Sequence, residues 1–341
     1  MQSVIPLKHS RAVRMAAAML VIAAAFTIAA VGAGTAKAAS AKLSDGVLTI
    51  TGTNGRNEIA LRLKLAHRGI LQVDLGDEGE ANFSFKRKRI KKIVLNTRGG
   101  ADVARIDEVN GVFTDTIPTK INGEDGGDTL LGGSGAETLR GGNGADSVDG
   151  NVGSDRALLG AGDDVFVWDP GDGSDVVEGQ DGADTMRFNG ADVAEQVELS
   201  ANGSRLKFFR TQGAITMDTA GVERVDFNAL GGADLATVND LTGTDVDAVN
   251  IELAGALGGT AGDGAADNVV VNATNGVDTI FVEGDADSLK VIGLAAAVQI
   301  LRSEFANDRL DINTLAGNDR VDADGLQIGA IKLFVDGLLV P

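Results

Sequence analysis

The 341-residue chain contains no cysteine and no tyrosine, and only 4 prolines, 1 tryptophan and 2 histidines. Each scarcity closes a route. Without cysteine there is no disulfide and no thiolate nucleophile, so packing, backbone pairing or a metal ion must staple the fold. Few prolines beside 47 glycines rule out a collagen-like or proline-rich linker chain. With His9 in a leader segment, His67 is the only histidine left, and a zinc-protease helix needs two in H-E-x-x-H. The lack of tyrosine removes a common acid or base of polysaccharide-processing β-helices. There is no G-x-S-x-G elbow and no glycine loop ending in Gly-Lys-Ser/Thr. Positive charge is scarce too: 30 basic against 49 acidic residues give a net charge of −19, which argues against nucleic acid and favours cations as partners.

The amino-terminal segment reads as an export signal. Lys8, Arg11 and Arg14 precede an apolar run from Met15 to Val31, and Ala36-Lys37-Ala38 is an A-x-A cleavage pattern. Residues 1–38 are therefore expected to be removed. The mature chain, from Ala39, would be more acidic still, without a membrane span and located outside the cell or at its surface.

Repetition dominates the centre. From Gly123 the chain falls into blocks of nine: GEDGGDTLL to Leu131, GGSGAETLR to Arg140, GGNGADSVD to Asp149, GNVGSDRAL to Leu158 and LGAGDDVFV to Val167. An eleven-residue unit, Trp168 to Glu178, precedes a last block, Gly179 to Arg187. The pattern is G-G-x-G-x-D-x-U-x, with U apolar. It resembles the haemolysin-type (RTX) calcium-binding repeat family, and the third block matches at every defined position. The resemblance implies calcium bound in the glycine-aspartate turns of a right-handed parallel β-roll. In such families the repeats usually sit beside a separate effector domain, and none is recognisable here.

The physics of the block agrees. One apolar residue per nine makes a thin core that cannot offset backbone ordering at about 1–2 kcal/mol per residue. If two blocks make one coil, residues 18 apart stack. Asp128, Asp146 and Asp164 then form one column and Glu137 and Asp155 the other, and the longer unit carries them on to Asp175 and Asp184 at a spacing of 20. Carboxylates stacked about 4.8 Å apart repel by about 1 kcal/mol per pair in water. A hard cation held by oxygens turns that repulsion into a cross-link. The expected metal set is Gly123, Asp125, Asp128, Gly132, Ser134, Glu137, Gly141, Asn143, Asp146, Gly150, Asp155, Asp164, Asp175 and Asp184. Glu137 in the aspartate place and Leu159 in the first glycine place depart from the pattern. An EF-hand is excluded: Asp169 to Asp175 lacks the alternating acids, the terminal glutamate and flanking helices.

The fold class expected is all-β, with segments 39–120, 121–190 and 191–341 as an N-terminal β-rich part, the calcium roll and further solenoid. Strands are expected at Val47–Thr51, Lys92–Asn96, Ala214–Met217, Asn268–Asn272 and Thr279–Val282. The Gly-x-Asp steps ending at Asp102, Asp234, Asp278 and Asp319 read as turns of that solenoid. Trp168 reads as a packing plug. The basic run Lys86 to Lys92 reads as a solvated edge strand that discourages sheet-to-sheet aggregation, or as a contact for an anionic envelope polymer or the acidic roll itself. An uncapped final coil near Leu338 would be a route to self-association. Two functions stay open: a calcium-stiffened surface or matrix protein, and a carbohydrate-active enzyme on the solenoid. No catalytic pair can be nominated, and few aromatics favour the first.

Overall fold

Alternation of apolar and polar residues in short strands, separated by glycine-rich turns, builds parallel sheets wherever successive strands cannot fold straight back on each other. The computed structural model describes residues 38–341; the export-signal reading falls on residues outside that range, apart from Ala38. The described residues form one compact unit of two long sheets, with 15 and 14 strands. Among the described residues there are two short 3-10 turns, at Arg87–Arg89 and Gln212–Ala214, and no α-helix. No helix among them is long and apolar enough to cross a membrane.

The chain alternates between the sheets. Strands Thr119–Asp125, Thr138–Asn143, Arg156–Ala161 and Val176–Asp181 lie in the first sheet. Thr129–Leu131, Ser147–Asp149, Val165–Trp168 and Thr185–Asn189 lie in the second. All these neighbours pair in parallel, Leu139 with Ala157 and Ser147 with Val165, so two nonapeptides do make one coil. The eleven-residue unit shifts the register to Val165 with Thr185, the spacing of 20 expected. Position eight of every block points inward: Leu130, Leu139, Val148, Ala157, Phe166 and Met186 are fully buried. The sheets continue through both flanks, so the β-roll is the middle of a longer solenoid.

Three antiparallel excursions interrupt the winding. Glu58–Lys64, His67–Leu75 and Phe83–Lys86 form one. Gln196–Asn202, Arg205–Arg210 and Ile215–Ala220 form the second, and Thr279–Gly284, Ser288–Ile292 and Ala297–Leu301 the third. The strand expected at Ala214–Met217 starts one residue later and runs to Ala220, because Ala214 ends a turn with φ of 51°. The basic run is not one edge strand. Lys86 ends an edge strand, Arg87–Arg89 turn the corner and Lys92 starts an interior strand of the other sheet. Near the carboxyl end, Leu338–Leu339 folds back on Lys332–Val335 as a short antiparallel strand, with Leu338 exposed.

Trp168 is 1% exposed, stacks on Phe188 with centroids 4.0 Å apart and donates its indole N–H to Gly173 O at 2.8 Å. It plugs the core where the repeat lengthens.

Candidate metal centre

In each block the turn between sheets ends at the sixth residue, which is the carboxylate. At position two Gly142 and Gly160 take positive φ, 127° and 123°. At position one glycine is required for space. A Cβ on Gly123 would strike Asp128 Oδ2 and Gly141 O, and one on Gly141 would strike Asp146 Oδ2 and Leu159 O. A Cβ on Gly150 would meet Asp155 Oδ2, and one on Gly132 would meet Gly150 O. The missing side chain therefore leaves a carboxylate oxygen and the next coil's carbonyl facing one small space. Leu159 breaks this column and its side chain is fully buried in the core, so the turn ending in Asp164 lacks the space its neighbours keep.

The carboxylates form two columns. On one side the Asp128 N–H donates to Asp146 Oδ1 at 2.7 Å, Asp146 to Asp164 at 2.7 Å and Asp164 to Asp184 at 2.9 Å. On the other, Glu137 donates to Asp155 at 2.6 Å and Asp155 to Asp175 at 2.7 Å. Glu137 thus takes the aspartate's place. All seven acids are at most 2% exposed. One oxygen of each, Oδ2 or Glu137 Oε1, is buried without a hydrogen bond. Nearby arginines are spent elsewhere, Arg156 on Glu178 and Arg187 on Asp226.

Burial, reinforced by neighbouring acids, raises these carboxyls. Asp155 is pushed up to about 9, Asp146 and Asp175 to about 7, and Asp128, Asp164 and Asp184 to about 6. Buried carboxylates that lack partners and repel each other need a proton or a cation.

At position three the side chains take other partners. Asp125 and Asn143, at position three, are exposed and bond each other, Asn143 Nδ2 donating to Asp125 Oδ1 at 2.8 Å. Their carbonyls are used between coils, accepting from Gly100 and Gly126 N–H. Ser134, also at position three, donates its N–H to Thr114 Oγ1 at 2.9 Å, and its hydroxyl is buried without a partner. The sequence reading missed Asp149. Burial and the charges of Asp172, Asp169 and Asp175 raise its pKa to about 7, so it faces the acidic loop after Trp168. Its only signal was an acid at position nine, directly before a turn.

No three histidine, aspartate or glutamate side chains converge among the described residues. A cation between coils would therefore take one or two carboxylates and complete its shell with turn carbonyls and water, the oxygen-only set that suits calcium. The family model for the RTX calcium-binding nonapeptide repeat matches four copies, over residues 131–166 and 171–192. The matched stretches are similar to RTX repeats. RTX repeats bind Ca2+, the ion that the orphaned oxygens fit. The block Gly123 to Leu131 precedes the matched stretch, yet its Asp128 stands in the same column. No curated protein matches the chain.

The N-terminal flank holds a solvent-open groove of about 690 Å³ lined by His67, Lys86, Arg87 and Lys88 over Ile70, Ile90 and Ile117.

Proposed function

We propose that this is an extracellular structural or surface protein whose roll folds as calcium binds. The observation that carries the reading is the row of buried, unpartnered oxygens on Asp128, Glu137, Asp146, Asp155, Asp175 and Asp184. Those atoms, with the carbonyls around Gly123, Gly132, Gly141 and Gly150, would hold the ions. Asp164 would be the weakest rung, since Leu159 takes the space beside it. A chain that leaves a low-calcium cytosol loosely ordered would stiffen on reaching millimolar calcium, because binding free energy becomes folding free energy. Removal of residues 1–38 and segment boundaries near 120 and 190 belong to the same reading.

Far-UV circular dichroism of the chain from Ala39, titrated with calcium after chelation, tests it. A steep gain of β signal, absent with magnesium and weakened by Asp146→Ala, is expected. A spectrum identical in chelator and in millimolar calcium would end the proposal.

The same protein would meet an anionic envelope polymer through Lys86 to Lys92. The groove supports this: it gathers Lys86, Arg87 and Lys88 without an acidic residue in its lining, on a chain whose net charge is −19. Retention on an acidic polysaccharide column should fall when Lys86 and Lys88 become Ser.

A further inference from the structure

The second carboxylate column does not stop at Asp175. Beyond the antiparallel excursion at 196–220 it resumes with the same hydrogen bond. The Glu195 N–H donates to Asp234 Oδ1 at 2.7 Å, Asp234 to Asp267 at 2.9 Å and Asp267 to Asp308 at 3.2 Å. The residue after each acid also repeats the bonding of the RTX coils. Leu235, Asn268 and Arg309 N–H donate to the carbonyls of Glu195, Asp234 and Asp267, as Ser147 and Val165 do to Asp128 and Asp146. The turn before Asp234 has the RTX backbone, left-handed at Leu230 (φ 70°) and with φ of 123° at Gly232.

The coils differ in how they neutralise charge. At Glu195 a buried arginine does it: Arg210 Nε donates to Glu195 Oε1 at 3.1 Å, and Nη2 also contacts that oxygen. The next three acids have no such partner, and Asp234, Asp267 and Asp308 are at most 4% exposed. Two more acids join them. Asp263 Oδ2 accepts the Gly232 N–H at 2.8 Å, and Glu304 Oε2 accepts the Gly264 N–H at 2.7 Å. The nearby arginines are committed elsewhere, Arg302 to Asp287 and Arg309 to Asp311. Asp234 Oδ2 is buried and receives no hydrogen bond. Carboxylates on successive turns are thus stacked with no protein cation, and one buried oxygen, Asp234 Oδ2, is left open.

We infer that the turns carrying Asp234, Asp263, Asp267, Glu304 and Asp308 hold a second calcium site, outside the nonapeptide repeats, in the C-terminal solenoid, where the ion takes one or two of these carboxylates together with turn carbonyls and water. The donor set is all oxygen and strongly negative, which selects calcium over softer or octahedral ions. Its ion would clamp the turns at 229–234, 262–267 and 303–308, where position one holds Ala229 and Gly262 in place of a regular glycine column. This site rests on the calcium chemistry proposed for the repeats, at residues outside the nonapeptide blocks.

The test counts calcium. The full chain from Ala39 is dialysed to equilibrium in calcium and its bound metal measured by atomic emission, with circular dichroism of the same samples to check the fold. Asp267→Asn combined with Glu304→Gln should lose one calcium per chain while keeping the β spectrum. An unchanged count in a folded variant overturns the site. Should the pair fail to fold, Glu304→Gln alone, at the rim, must still weaken the last calcium to dissociate by several-fold, and an unaltered isotherm overturns the site equally. A background of Asp128→Asn and Asp146→Asn separates this site from the repeats. There, residual calcium binding that falls by one ion per chain on adding Asp267→Asn supports it, and residual binding that persists undiminished overturns it. A wild-type chain that binds no calcium sinks the repeats and this site together.

Discussion

The backbone N–H of Asp128 donates to Oδ1 of Asp146 at 2.7 Å, while Oδ2 of the same Asp146 carboxylate is buried without a partner. One side chain thus does two separable things: it splices neighbouring coils, and it presents charge that requires a cation. Asp146→Asn keeps the splice and removes the charge. It should raise the calcium midpoint of folding at least about tenfold, equivalent to roughly 1.4 kcal/mol. In chelator, with repulsion relieved, it should melt no lower than the parent. Asp146→Ala loses both roles and should melt lower in either condition, by about 1 kcal/mol more for the lost hydrogen bond. Thermal melts with and without calcium check this, and equal effects of Asn and Ala would refute the division of roles.

Acid should stabilise the calcium-free chain. Burial holds Asp155 up at about 9, Asp146 and Asp175 at about 7 and Asp128 at about 6. A carboxyl whose folded pKa lies above its unfolded value near 4 contributes fully below that value and loses its contribution as pH rises through the folded pKa. The metal-free melting temperature should therefore fall between about pH 5 and pH 9. With calcium the order reverses, because protons then compete with the ion, and more calcium should be needed at pH 5 than at pH 8. Melting curves across that range, in metal-free and calcium buffers, would show the two slopes crossing.

The turns carry a backbone cost that can be relieved. Gln180 stands opposite Gly160 in the ladder and holds φ at 82°, a region that costs an L-residue roughly 1–2 kcal/mol. Gln180→Gly should stabilise the calcium-loaded chain by about 1 kcal/mol. Gly144→Ala should do the opposite, by at least about 2 kcal/mol. Its φ is 129°, and a Cβ there would collide with Gly126 O. Denaturant midpoints in calcium measure both. A neutral Gly144→Ala would mean that position four tolerates a side chain after all.

The roll was legible because its period is regular. Blocks of nine put Leu130, Leu139 and Val148 in the core and Asp128, Asp146 and Asp164 in one column, and strands such as Val47–Thr51, Lys92–Asn96 and Asn268–Asn272 fell where alternation placed them. The antiparallel excursions were not legible. A turn such as Asn202-Gly203-Ser204 marks a reversal whether the next strand returns beside the last or crosses to the other sheet. Arg210 therefore gave no sign that it would reach Glu195, 15 residues away. Nor could spacing show that Asp267 and Asp308 stack, since coils of 33 and 41 residues hide a register that coils of 18 display. The outward direction of the Asp125 and Asn143 side chains was not legible either, because a motif fixes residue types and leaves side-chain direction open.

Arg210 supplies in protein form what calcium supplies in the repeats, and removing it should expose that equivalence. Its guanidinium is buried against Glu195, donates to Gln212 O at 2.8 Å and lies 5.4 Å from the centre of the Trp168 ring. Arg210→Ala leaves the Glu195 carboxylate buried and unpaired, a loss of about 3–5 kcal/mol for one half of a buried pair. Adding Glu195→Gln should recover much of it, because the acceptor remains while the charge goes. The single variant should also be rescued by calcium more strongly than the parent. Gly190, like Gly123, leaves a carboxylate oxygen, Glu195 Oε2, facing the next coil's carbonyl at Ala229, so an ion would find there the pair of oxygens offered in the RTX turns. Melting temperatures of parent, single and double variants, in chelator and in calcium, decide the matter. If calcium raises all three by the same amount, Arg210 is only a packing residue and Glu195 offers no place for an ion.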